Sequence, residues 1–284
     1  MTFDLTHARH DPAHCLAPGL FRSLKRGDRK KLKLDVTYQY SKDTSIRFWG
    51  PEPLGADDMR ILQGLVAMAA VSGDGGRGIL LHPEPRTEAG QQLRLLLETK
   101  FDAIAQDGLV VKGSYRQLAK EVGYADIENS RPIRDCIERL WAVSVIVESK
   151  GKRQGFRILS EYASDDVDGR LFVALNPRLA DAIMGSAQHL RIDLDEVRRL
   201  SSDPARLVHQ RLHWINAGTA QNVALDTLCG YVWPDEAAPE AMKKRRQTVR
   251  KALAELVSIG WTVDEYATGK YNIGRPKSGR LLNA

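Results

Sequence analysis

Apolar residues follow two periods along this chain, and the switches between them predict its elements. Residues 34–40 (LDVTYQY) and 46–49 (IRFW) alternate and are rich in β-branched and aromatic side chains, which predicts a β-hairpin with a polar turn at 41–45. Pro51 and Pro53 end it, and Asp57 and Asp58 suit the positive end of a helix running to about Val71. The glycine cluster at 73–78 predicts a turn. A second helix is expected over 87–105, with Leu93, Leu96, Leu97 and Ile104 on one side.

Residues 113–160 are more informative. Ser114 and Gln117 have capping-box spacing, and Gly123 is placed to stop the short helix they open. After a linker, Ile133, Ile137 and Leu140 share one helical stripe. A β-branched run at 143–148, a basic turn at 150–153 and a return strand at 156–159 follow. Short helix, turn, second helix and basic hairpin is the order of a winged helix-turn-helix.

The order recurs. A short helix is expected over 225–232 and a connection over 234–239. A long helix follows, striped by Met242, Val249, Leu253, Leu256 and Val257, then two strands around a turn at 268–270. Phe156 and Ile158 lie 115 residues before Tyr271 and Ile273, and Leu140 lies 116 before Leu256. The pattern predicts an α+β fold of two tandem winged helix-turn-helix domains, mostly helical with small antiparallel hairpin wings. Residues 1–33 form a basic N-terminal arm, 34–180 the first domain and 188–284 the second, opened by a helix over 203–215. Pro177 and Gly185 mark the break between domains.

Composition narrows the function. Hydrophobic residues at 43% and charged residues at 27% exclude wholesale disorder, and the longest apolar stretch is too short to span a bilayer. No apolar leader precedes the fold, and the three cysteines are widely spaced, so a cytoplasmic protein with reduced thiols is expected, without a membrane partner. Eight Lys/Arg against three Asp/Glu occupy residues 1–33, 22 against 26 occupy 34–203, and 12 against seven occupy 204–284. Positive ends around a mildly acidic middle point to a polyanion.

The sharpest local feature is residues 242–251 (MKKRRQTVRK). On a helix with Val249 at zero, Met242, Leu253 and Leu256 fall within about 40° of it, while Lys243, Lys244, Gln247, Arg250 and Lys251 fall between roughly 100° and 220°. Arg245, Arg246 and Thr248 flank the stripe. Arginine and lysine can pair with guanine O6 and N7, glutamine with adenine N6 and N7, and the flanking groups with phosphates. Lys270, Arg275 and Lys277 are expected on phosphates beside it. In the first unit Arg131, Arg134, Asp135, Glu138 and Arg139 mix signs, whereas the wing residues Lys150, Lys152 and Arg153 are purely basic. The expected division is a first domain that grips backbone through its wing and a second that reads bases.

Catalytic chemistry finds no support. The glycine cluster lacks the lysine and hydroxyl of a P-loop. His209 and His213 have zinc-protease spacing, but Gln210 stands where the general base would be, so they read as a helix-surface or core pair. His10, His14 and Cys15 lack a fourth ligand, and Asp165, Asp166 and Asp168 lack the closing glutamate of a calcium loop. No catalytic residue, metal or cofactor is assigned.

Segments along almost the whole chain resemble the iteron-binding replication initiator protein C family of IncQ-type broad-host-range plasmids. They are residues 10–21 (HDPAHCLAPGLF), 50–58 (GPEPLGADD), 60–69 (RILQGLVAMA), 110–115 (VVKGSY), 135–141 (DCIERLW), 226–234 (DTLCGYVWP) and 244–247 (KRRQ). The resemblance implies a protein that binds direct repeats in a plasmid origin, opens the duplex, helps load helicase and primase, and sets copy number. It also implies two winged helices, a homodimer through the first, and no enzymatic activity. Residue properties alone leave two other readings open: a tandem winged-helix transcriptional regulator and a DNA-nicking enzyme.

Overall fold

A computed structural model describes residues 6–70, 78–81, 108–165, 169–185 and 187–277. The helix expected over 87–105, the glycine turn up to residue 77, and Asp166 and Asp168 lie outside the described residues.

The first correction concerns the amino-terminal arm. Strand β1 (His7–His10) pairs antiparallel with β10 (Leu190–Asp193), His7 facing Asp193 and His10 facing Leu190. Helix α1 (Pro12–Leu16) follows, capped by Asp11, whose carboxylate accepts the Ala13 amide at 2.8 Å. Ala8, Ala13, Cys15, Leu20 and Phe21 are buried, so much of residues 7–21 is core, while Arg9 is exposed and the run of exposed cations begins at Lys25. A one-turn helix α2 (Asp28–Lys31) lies within that run.

Strands β2 (Leu34–Ser41) and β3 (Thr44–Gly50) form the predicted hairpin. Strand β3 pairs onward with β6 (Ser144–Ser149), and β6 with β7 (Lys152–Arg157), giving an antiparallel sheet of order β2-β3-β6-β7. Side chains alternate across it. Ile46, Phe48 and Val145 are buried on one face, and Trp49 is exposed on the other.

Helix α3 (Ala56–Ala70) runs through the core with Ile61, Leu62, Leu65 and Val66 fully buried. Gly64 lets it approach α4 (Tyr115–Glu121): a β-carbon there would sit 2.4 Å from a Val122 methyl and 2.7 Å from a Leu118 methyl. Ser114 caps α4 through the Gln117 amide, as its spacing predicts. Helix α5 (Arg131–Ala142) then buries Ile133, Ile137 and Leu140.

The sequence pattern underestimated the strands. Strands β4 (Gly78–Leu81), β5 (Gly108–Ser114), β9 (Arg170–Leu175) and β8 (Leu159–Asp165) make a second four-stranded antiparallel sheet, so the molecule is mixed rather than mostly helical. Pro177 and Gly185, expected at a break, open and close helix α6 (Pro177–Met184): the proline sits in its first turn, and the glycine takes φ +79° at its C-cap.

Helices α7 (Leu194–Arg199) and α8 (Asp203–Leu212) lead to β11 (Ala220–Ala224), α9 (Leu225–Val232), α10 (Pro239–Ser258), β12 (Thr262–Ala267) and β13 (Lys270–Gly274). The last sheet has the order β11-β13-β12. Leu140 and Leu256 are both fully buried, as are Ile158 and Ile273, although Ile158 lies between β7 and β8 and Ile273 within β13. One apolar core runs from Ala8 to Ile273, and buried Gln63 of α3 donates to Gln210 of α8 at 2.6 Å within it.

Candidate nucleic-acid interface

Helix α10 begins at Pro239 and is closed by Gly260 at φ +101°. Val249, Ala252, Leu253 and Leu256 are buried, and Met242 packs partly against the core. Val257, expected on the stripe, is 52% exposed because it lies one residue past Leu256 and so turns away from the core. Lys243, Lys244, Gln247, Arg250 and Lys251 are exposed. The amphipathic phase read from the sequence is otherwise the observed one.

The cations on this helix differ in freedom. Arg246 makes a two-pronged bond to Asp226 of α9, at 2.6 and 2.7 Å, and this hydrogen-bonded guanidinium lowers the Asp226 pKa. Arg245 donates to the Asp235 carbonyl and lies over the Trp233 ring at 5.5 Å. Both therefore brace the α9–α10 connection. Thr248 donates to the Lys244 carbonyl at 3.0 Å. Arg250 donates to the Tyr271 hydroxyl at 3.3 Å, and that hydroxyl donates to Glu265 at 3.0 Å. The Gly269 amide also donates to Glu265, so the last hairpin is tied to the helix. Lys243, Lys244 and Lys251 have no carboxylate partner among the described residues.

Lys270 opens β13 and is exposed, as is Lys277. Arg275 differs from expectation. Its guanidinium donates to the carbonyls of His213, Ile215 and Arg191, at 3.3, 3.2 and 2.6 Å, and burial lowers its pKa. These bonds clamp the chain across three carbonyls.

In the first unit, Lys150 (φ +48°) and Gly151 (φ +77°) make the two-residue turn between β6 and β7. Lys152 and Arg153 are exposed on β7, with Arg153 3.2 Å from Glu148. Arg139, read as part of a mixed surface on α5, instead donates to Asp58 at 2.8 Å. Asp58 is fully buried and also accepts from Arg29 at 3.1 Å and from the Gly55 amide at 2.7 Å. This junction of α2, α3 and α5 had no local signal, because its arginines lie 29 residues before and 81 after the acid.

His209 and His213 are buried, with ring centroids 4.5 Å apart. His209 Nε2 lies 2.7 Å from Glu196, whose same oxygen accepts the Trp261 indole N–H at 3.0 Å. Burial pushes the Glu196 carboxyl up, but the bonds from His209 and Trp261 outweigh it and hold the pKa low. Burial, with His209 and Arg275 nearby, drives His213 well below the usual imidazole range. Glu196, His209 and His213 form the one set of potential metal ligands among the described residues, with ligand atoms within 4.8 Å of one another. They lack the fourth protein ligand of a closed zinc site. His10, His14 and Cys15 are buried too. Asp11 joins Arg178 at 2.8 Å and His14 at 3.3 Å, and burial takes His10 down to about 3. No helix among the described residues is long and apolar enough to cross a membrane.

Comparison with known proteins places this architecture. The structure is similar to two crystal structures of domains 2 and 3 of RctB, each with a TM-score of 0.53 and 11% identity. One match covers 93% of this chain and 97% of that one, and the other 89% and 92%. A weaker likeness, with a TM-score of 0.40 and 16% identity over 58% of this chain and 79% of the other, is to Pi initiator protein in complex with iteron DNA. No curated protein sequence matches the chain. The family model for Replication protein C (RepC) matches residues 2–277, nearly the full length, and the chain therefore belongs to the replication protein C family.

Proposed function

We propose that the protein initiates plasmid replication by binding direct repeats in the plasmid origin. In this reading α10 enters the major groove. Lys243, Lys244, Gln247 and Lys251 face the base edges and nearest phosphates, while Arg250 does so from its bond to Tyr271. Lys270 and Lys277 meet the flanking backbone. Residues 34–180 and 188–284 act as two winged-helix units, and Lys150, Lys152 and Arg153 of the first wing grip phosphate. Binding then opens the duplex and supports loading of helicase and primase on plasmid DNA in the bacterial cytoplasm. A homodimer through the first unit belongs to the same proposal.

The observation that carries it is the division of α10 into a buried apolar side and an exposed side of lysines around Gln247 that have no carboxylate partner among the described residues. Such a helix can dock on its own core and still offer donors to a groove. Family membership supports the replication role. Footprinting on the origin of the cognate plasmid tests it. A ladder of protected direct repeats is expected. Protection confined to a single promoter operator would instead identify a transcriptional regulator. Nicking of supercoiled origin DNA in the presence of a divalent metal would identify an enzyme.

A further inference from the structure

We propose that residues 25–33 form a second DNA-backbone site, a basic ledge that binds phosphates just outside the repeat read by α10. The proposal rests on the DNA reading of α10 and extends its footprint.

The ledge is held in place at both ends. Arg22 bonds the Asp235 carboxylate, and the Ser23 amide donates to the Val232 carbonyl at 2.9 Å. Gly19, at φ +81°, lies so close to Pro234 that a β-carbon would be 3.1 Å from its ring. These contacts fasten the chain to the connection that leads into α10. At the other end Arg29 donates to the Pro53 carbonyl at 3.0 Å and to buried Asp58. Between the anchors the Lys25 amide donates to Asp28 at 2.8 Å, and the Asp28 amide donates to the Lys25 carbonyl at 3.1 Å, which closes a turn with Gly27 at φ +92°.

Lys25, Arg26, Lys30, Lys31 and Lys33 are exposed on this braced frame, and none has a carboxylate partner among the described residues. Lys25 follows Arg22 by three residues, so their α-carbons lie within about 11 Å of each other, roughly three base-pair steps along a duplex. Leu32 is the one exposed large hydrophobic in the segment, at 36%. Protein interfaces are built around apolar and aromatic anchors and are poor in lysine, whereas phosphate backbones select for this composition.

The test replaces all five residues with glutamine, K25Q/R26Q/K30Q/K31Q/K33Q, in the full chain. Binding is measured to a duplex trimmed to one footprinted repeat, and to duplexes extended by about one helical turn on either side in turn. Wild type is expected to bind one extended duplex about tenfold more tightly than the trimmed one, while the variant gains nothing from the extension. If three phosphates are engaged, the variant's salt slope on that duplex is shallower by about 3. Equal affinities and slopes for variant and wild type on every duplex would overturn the ledge. A K243A/K244A/Q247A/K251A variant separates the two ideas. Loss of the trimmed repeat upholds α10 as the reader whatever the ledge does, and unchanged binding to it removes the α10 reading.

Discussion

Replacing Asp58 distinguishes a buried acceptor from a charge at a helix end. Two acids in the first turn of a helix each gain about 0.3–1 kcal/mol from its dipole, so on that account Asp57 and Asp58 would matter alike. Their settings are unlike: the Asp57 side chain is 52% exposed and that of Asp58 is fully buried. Asp58→Ala removes the shared acceptor of the Gly55 amide, Arg29 and Arg139. Breaking a buried ion pair costs about 3–5 kcal/mol. The two arginine side chains are 31% and 18% exposed, so water recovers part of the loss and the low end applies. With a urea m-value of about 3 kcal/mol/M, a cost near 3 kcal/mol lowers the unfolding midpoint by about 1 M. Asp57 lies 3.5 Å from the largely buried Arg60 but is itself half-exposed, so Asp57→Ala should cost about 1 kcal/mol, well below the Asp58 loss. Urea titrations followed by circular dichroism read both, and high salt should shrink the Asp57 effect while leaving that of Asp58. Equal shifts below about 1 kcal/mol in the two variants would refute the buried junction and with it the outer anchor of the basic ledge.

Leu253→Ala should destabilise by about 2–5 kcal/mol, because that side chain docks α10 on its core, and a negligible shift in the same titration would mean the helix is held otherwise. Neutralising Lys150, Lys152 and Arg153 should weaken all duplexes alike, whereas Lys244→Ala should change base preference at one position by about 1–3 kcal/mol, read by selection from a randomised repeat pool. An equal loss of specificity from both sets would remove the division of labour. Stability should fall on acidification. His10 and His213 are buried with lowered pKa values, so between their folded and unfolded pKa values the unfolded chain binds more protons. The loss begins as pH drops below about 6.5 and amounts to roughly 2–4 kcal/mol at pH 5. His213→Gln should flatten that dependence, and an unchanged slope would show that the ring is protonated in the fold.

The elements legible in the sequence are those specified by neighbours in the chain. The 225–232 helix, the cap at Ser114, the hairpin at 34–49 and the phase of α10 follow from spacing within a few residues. What was missed depends on distant partners. Strand β1 is short and bears two histidines and an arginine, and becomes a strand by pairing with residues about 180 positions away. Asp11 and His14 fall in the stretch expected as a basic arm, and their carboxylate–imidazole pair is completed by Arg178 from α6. Strands β8 and β9 lack regular alternation: β8 is buried only at Leu159, whereas β9 buries Leu171, Val173, Ala174 and Leu175.

The same limit governs the reading of charge. A basic count treats every guanidinium as available, but a guanidinium has five donors and spends them wherever carboxylates and carbonyls are within reach. Arg29 and Arg139 are spent on Asp58, Arg246 on Asp226, Arg22 on Asp235, and Arg275 on three carbonyls. Those bonds fix where each guanidinium sits, so its remaining donors can meet a phosphate only from that fixed orientation. The lysines of α10 and of residues 25–33 carry no such debt, and being flexible point charges they can follow a backbone without exact geometry. The committed arginines and the free lysines therefore do different work. The arginines fix the angle between α10, its connection and the ledge. The lysines present the charge, and the segments that carry the two groups are joined at Asp235, which accepts from both Arg22 and Arg245.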